Sequence, residues 1–153
     1  QVTALDLEAI VSDEMRERAQ SHDLAGFEVE AGTERKPLAQ VRVTMPGGDE
    51  QSGEASGDGP VDSIFGAIQA ATGVEAELRE YHVAAVTGGD DALGEVTVIL
   101  RAGGHSASGQ GVATDILEAS ARAYVRALSN LVDEAGIRKS ETGSPEAAGL
   151  TGP

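Results

Sequence analysis

Glycine pairs stand just ahead of two segments with helical spacing: Gly57-Asp58-Gly59 precedes Pro60-Val61-Asp62, and Gly109-Gln110-Gly111 precedes Val112-Ala113-Thr114-Asp115. Glycine allows positive φ and close backbone approach, and a helix start offers unpaired N–H groups with partial positive charge. Such corners suit a small carboxylate; equally, they serve as plain turns. The dinucleotide fingerprint is not met, because its third glycine is missing. His22, His82 and His105 are scattered, with no pair at metal-ligand spacing and no nucleophile elbow beside them, so hydrolase and metalloenzyme chemistry find no support. Each is expected on the surface or at a strand edge. Asp90-Asp91 in a glycine hairpin reads as a turn, since Ca²⁺ would need several more oxygens nearby. Tyr81 and Tyr124 read as well as core aromatics as they do as ligand contacts. No catalytic set emerges.

The elements that must carry these residues form a repeat. Val41-Arg-Val-Thr-Met45, a loop and Gly57-x-Gly59 are echoed by Val96-Thr-Val-Ile-Leu100, a loop and Gly109-x-Gly111, which points to two related modules with a binding seam between them. In the first, period-two alternation from Gly26 (Phe27, Val29, Ala31) and from Pro37 (Val41, Val43, Met45) predicts two strands, and Gln51 to Gly57 a third. Pro60 opens a helix carrying Ile64, Ile68 and Ala71, and Gly73 stops it. In the second, Val74 to Thr87 is a long strand with Tyr81, Val83 and Ala85 on one face. Leu78 is out of phase, which predicts a bulge near Arg79-Glu80. Val96, Val98 and Leu100 line the next strand, and a third ends at Gly111. The last helix is capped by Asp115 with Glu118 in a capping box, and Leu117, Tyr124, Leu128 and Leu131 form its stripe. The fold class is therefore α+β: two pseudo-repeated βββα modules, 26–73 and 74–137, with antiparallel sheets and one long helix each. Residues 1–25 read as a connector with an amphipathic helix over Leu5 to Ala19, and 138–153 as a disordered tail.

Composition narrows the partners. The net charge of −15 over 153 residues repels phosphate backbones and anionic lipid, so neither nucleic acid nor membrane is expected. Acidity of this degree, with many small residues, fits adaptation to high salt or an ordinary acidic protein. Cysteine is absent, which fits a reducing cytoplasm. Gln1, with no leader pattern after it, suggests a piece of a longer polypeptide.

Gly57-Asp-Gly-Pro-Val-Asp62, Tyr81, Gly88-Gly-Asp-Asp-Ala-Leu-Gly-Glu-Val96, and Gly109 through Thr114-Asp115-Ile116, Ala119-Ser120 and Tyr124 to Leu128 resemble the carboxy-terminal regulatory domain of 2-isopropylmalate synthase. Asp58 stands where that family commonly has Asn. The resemblance implies a feedback sensor and not an enzyme: the parent condenses acetyl-CoA with 2-oxoisovalerate in a TIM barrel that holds a divalent metal, and nothing here reads as that barrel. It implies no cofactor in this domain, a homodimer, and an effector, L-leucine, near the dimer contact. Carried over by position, Gly57, Gly59, Pro60, Val61 and Asp62, the strand residues Leu78, Tyr81 and Ala85, the hairpin residues Asp91 and Ala92, and the second corner of Gly111, Val112 and Ala113 would surround it. A citramalate synthase sensor that binds isoleucine, a homocitrate synthase relative, and a free-standing amino-acid-binding or dimerising module are the alternatives.

Overall fold

The computed structural model describes residues 21–88 and 91–135, with side chains at all of these except 86–88, 91, 92 and 135. The expected helix over Leu5 to Ala19 and the expected tail beyond 138 lie outside them. Strands β1 (Asp23–Gly32), β2 (Arg35–Thr44) and β3 (Glu50–Ser56) form an antiparallel sheet in the order β1-β2-β3 and lead into helix α1 (Pro60–Thr72). Strands β4 (Glu77–Gly88), β5 (Asp91–Ala102) and β6 (His105–Ala113) form a second sheet in the order β4-β5-β6 and lead into α2 (Ile116–Ala135). The fold is α+β, two βββα modules. Pro60 occupies the first turn of α1, where a missing amide costs nothing, and Gly73 ends it at φ 74°, its N–H donating to Gln69 O at 2.8 Å. The central strands supply the floor of the core: Ala39, Val41 and Val43 from β2, and Val96, Val98 and Leu100 from β5, are all buried.

Each helix lies so close to its sheet that one strand position has no room for a side chain. A Cβ on Gly53 would run into Ala67 O and Ala71 N of α1, and a Cβ on Gly109 into Ala123 O and Ala127 N of α2. The equivalence is a constant offset of 56 positions, from 53 to 109, 67 to 123 and 71 to 127. One further contact is exchanged between the modules. Ala55 of β3 faces Gly66 of α1, whereas in the second module Gly111 of β6 faces Arg122 of α2, so the missing Cβ has moved from helix to strand.

This offset corrects the repeat read from the sequence, which matched Gly57 with Gly109. The structure matches Gly53 with Gly109, four residues earlier. Gly109 and Gly111 are strand residues two apart on the inward face of β6, kept bare for the helix above them, and are no corner. The turn into α2 is Thr114-Asp115.

Both first strands carry a bulge at the same ladder position. Leu24 pairs with Val43 and Gly26 with Arg42, leaving Ala25 extra; Leu78 pairs with Leu100 and Glu80 with Ile99, leaving Arg79 extra. The second bulge was expected. The first was not, and it explains why β1 starts at Asp23 and not at Gly26: Leu24 is out of phase with Phe27 until the extra residue is counted. His22 also departs from expectation. It is buried, its N–H donating to Ser129 Oγ at 3.0 Å, because the start of β1 is pressed against α2. His82 and His105 are exposed, as expected.

The α2 cap forms, with Asp115 Oδ1 accepting the Leu117 N–H at 2.9 Å. The reciprocal half of the capping box does not: Glu118 bonds Arg122 one turn on, at 2.7 and 2.9 Å. The close approach yields a direct test. Gly53→Ala and Gly109→Ala should each lower stability by about 1–3 kcal/mol, the usual cost of overpacking, measured by urea unfolding.

Candidate functional site

Side chains directly opposite in a ladder share a face, so the register of the second sheet places Leu78, Tyr81, Val83 and Ala85 beside the buried Leu100, Val98, Val96 and Gly94. The bulge at Arg79 is what returns Leu78 to this face. Gly109 and Gly111 seat α2 over β5 and β6, and β4 lies beyond its cover. As a result Leu78 is 41% exposed and Val83 50% exposed, and Ala85 is exposed as well. Ile116, at the head of α2, is 36% exposed and lays its Cδ1 over Gly94, where any Cβ would collide with it. Half of an inward-type face thus stands open as an apolar strip.

Tyr81 anchors the strip to the body of the protein. Its hydroxyl shares a 2.8 Å hydrogen bond with Ser120 Oγ of α2, and its ring meets Phe65 of α1 edge-on, with centroids 5.9 Å apart at 75°. Phe65 in turn stacks on Tyr124 at 4.3 Å and 29°, and the Gln69 amide donates to the Tyr124 hydroxyl at 2.9 Å. One aromatic cluster therefore ties β4, α1 and α2 together across the modules. In the first module the position of Tyr81 is held by Phe27, opposite Val41.

The corner ahead of α1 is built differently from the start of α2. Gly59 is extended (φ −139°, ψ 171°) and no side chain caps the helix, so its first-turn N–H groups keep their hydrogen-bonding capacity. At α2 the Asp115 carboxylate has taken that place. Gly57 is needed for contact and not for positive φ: a Cβ there would lie 2.9 Å from Asp62 Cβ. The corner is pinned to β2, with Gly57 N–H donating to Pro37 O at 3.3 Å and the Ser63 hydroxyl 2.9 Å from both Pro37 O and Gly59 O. Asp62 is exposed in the first turn, and Asp58 is exposed 3.7 Å from Lys36 Nζ.

Of the residues singled out from the sequence, Gly57, Gly59, Pro60, Val61 and Asp62 gather at the α1 start, and Leu78, Tyr81 and Ala85 on the β4 strip. The link between the groups is one helical turn, from half-buried Val61 to Phe65. Ala113 shares the row Ala85–Gly94–Ala113. Gly111 lies beneath α2, and Val112, opposite Glu95, belongs to the other face of the sheet. Asp91 and Ala92 open β5 opposite Gly88 and Thr87, and their side chains are not described. The sequence reading left Val83, Ile116, Phe65 and Ser120 out of the site. Alternation with Tyr81 and Ala85 signals Val83; nothing local signals the other three.

A family model described as the LeuA allosteric (dimerisation) domain matches residues 1–132. The chain belongs to this family. Relatives named 2-isopropylmalate synthase include those of Picosynechococcus sp., 42% identical over 98% of this chain and 28% of the relative, and Chromobacterium violaceum, 46% identical over 84% of this chain and 25% of the relative. That of Acidimicrobium ferrooxidans is 45% identical over 84% of this chain and 25% of its own length. The chain spans about a quarter of the length of these curated relatives.

In this LeuA-type domain the aromatic cluster has an electrostatic signature. Burial pushes the Tyr124 hydroxyl up from 10.0 to about 12, partly offset by the bond from Gln69. A folded-state value above the unfolded one means stability that is complete below pH 10 and is lost as pH rises toward 12. Alkaline unfolding followed by tyrosinate absorbance should show that loss, about 2–3 kcal/mol across the window, and Tyr124→Phe should abolish the part due to this residue.

Proposed function

We infer that this domain is the feedback sensor of a 2-isopropylmalate synthase and that it works as a homodimer in the cytoplasm. The effector is L-leucine, held between the β4 strip and the uncapped start of α1. The observation that carries this reading is the open apolar strip of Leu78, Tyr81, Val83 and Ala85 in a domain whose family is allosteric and dimerising. The name borne by the relatives supports leucine over isoleucine. Condensation of acetyl-CoA with 2-oxoisovalerate, and the divalent metal it requires, are assigned to a separate catalytic barrel; the sensor itself holds no cofactor.

A leucine zwitterion needs donors for its carboxylate, an acceptor for its ammonium and a dry wall for its isobutyl group. The first-turn N–H groups of α1, the Asp62 carboxylate or corner carbonyls, and the β4 strip are those three features. Burying the isobutyl group contributes about 2 kcal/mol, whereas micromolar affinity requires about 8 kcal/mol, so charged hydrogen bonds at the corner set affinity and the strip selects the side chain. A second chain laid against the strip would complete the enclosure, and inhibition would follow if the closed dimer is the state that leucine favours.

Titration calorimetry of this chain against leucine, isoleucine and valine, at low and high salt, tests the reading and the salt-adaptation expectation together. Leucine should bind best, and Tyr81→Ala should weaken it about tenfold or more while the dimer persists in size-exclusion chromatography. Unchanged leucine affinity in Tyr81→Ala removes Tyr81 from the site. A preference for isoleucine favours the citramalate synthase alternative, and no heat with any of the three overturns the sensor reading.

A further inference from the structure

A second cavity, of about 190 Å³, opens where the start of β1 meets α2 and the edge of β6. Leu24, Val112 and Val125 are its apolar lining, and Asp23, Gln110 and Arg126 bring polar groups to it. Arg122 also borders it, but its guanidinium is engaged by Glu118 at 2.7 Å. Asp23 and Arg126 differ: among the described residues neither side chain has an ion pair or a hydrogen bond, and they do not close on one another although they border the same space. An arginine left without a carboxylate in a chain of net charge −15 is a guanidinium held apart from abundant partners. The His22 N–H bond to Ser129 Oγ fixes the start of β1 on α2, so the carboxylate of Asp23 and the guanidinium of Arg126 are presented from two elements locked together.

We propose that this cavity binds a small aliphatic α-amino acid. Its carboxylate pairs with Arg126, its ammonium with Asp23, and its side chain packs on Leu24, Val112 and Val125. A simple anion meets repulsion from Asp23 and a simple amine meets repulsion from Arg126; a molecule bearing both charges on adjacent atoms matches both. The volume agrees, since a cavity of about 150 Å³ already accepts benzene, so this one takes an amino acid of the size of valine or leucine. The site is separate from the β4 strip, because β4 and β6 are opposite edges of the sheet. It stands whether or not leucine is sensed at Tyr81.

The test is an amide NMR titration of the 153-residue chain with L-valine and L-leucine, alongside isovalerate and isobutylamine, which each lack one of valine's two charges. Saturating shifts are expected at Leu24, Val112 and Arg126 with the amino acids alone. Arg126→Gln and Asp23→Asn, both at exposed positions, should each weaken binding about tenfold or more, and Tyr81→Ala should leave these shifts unchanged. Three results overturn the proposal: no movement of these amides with either amino acid, affinity unaffected by both charge-removing variants, or isovalerate binding as tightly as valine. Loss of shifts at β4 alone would count against the leucine-sensor reading and leave this cavity's assignment intact.

Discussion

Two helices rest on their sheets with backbone almost touching backbone, and most of the architecture follows from that approach. At Gly53 and Gly109 the sheet presents hydrogen atoms where other residues would present carbon, and the carbonyls of Ala67 and Ala123 occupy the space. Such contact exploits the density of protein interiors, where a single methyl group decides how near two elements come. It also fixes where each helix sits across its sheet. Because α2 is drawn down over β6 and β5, it cannot also reach β4, and the open strip is the complement of the tight seat.

The two modules use one plan to different ends. Phe27 and Tyr81 hold equivalent ladder positions, yet only Tyr81 has a hydroxyl to reach Ser120. β1 is packed by both helices, whereas β4, apart from Tyr81, leans on little besides β5. The helix starts diverge likewise: Asp115 closes one and nothing closes the other. Duplication supplied a symmetric frame, and side-chain differences at a few positions made one half a closed support and the other half open.

Much of this was legible in the chain. Alternation over Val41 to Met45 and Val96 to Leu100, Pro60 and Gly73 around α1, and the phase slip at Leu78 gave the order of elements and one of the bulges, because each signal is local. What escaped depended on distant partners. The Gly109-x-Gly111 pattern looks like Gly57-x-Gly59 on paper, but one pair lies under a helix and the other before one, and only the helix position tells them apart. His22 is buried by Ser129, 107 positions away. The halves of the expected site on α1 and β4 were found separately; the ring contact from Phe65 to Tyr81 that relates them needed the fold.

The paired bulges at Ala25 and Arg79 have a consequence for the outer margins of the sheets. Each sits near the start of a strand that has a neighbour on one side only, and an extra residue there breaks the even spacing of amide and carbonyl groups that an incoming strand would need. The molecule can therefore keep a bare apolar surface on β4 without offering its border as a template for runaway ladder growth, even at the concentrations at which such surfaces ordinarily drive proteins out of solution.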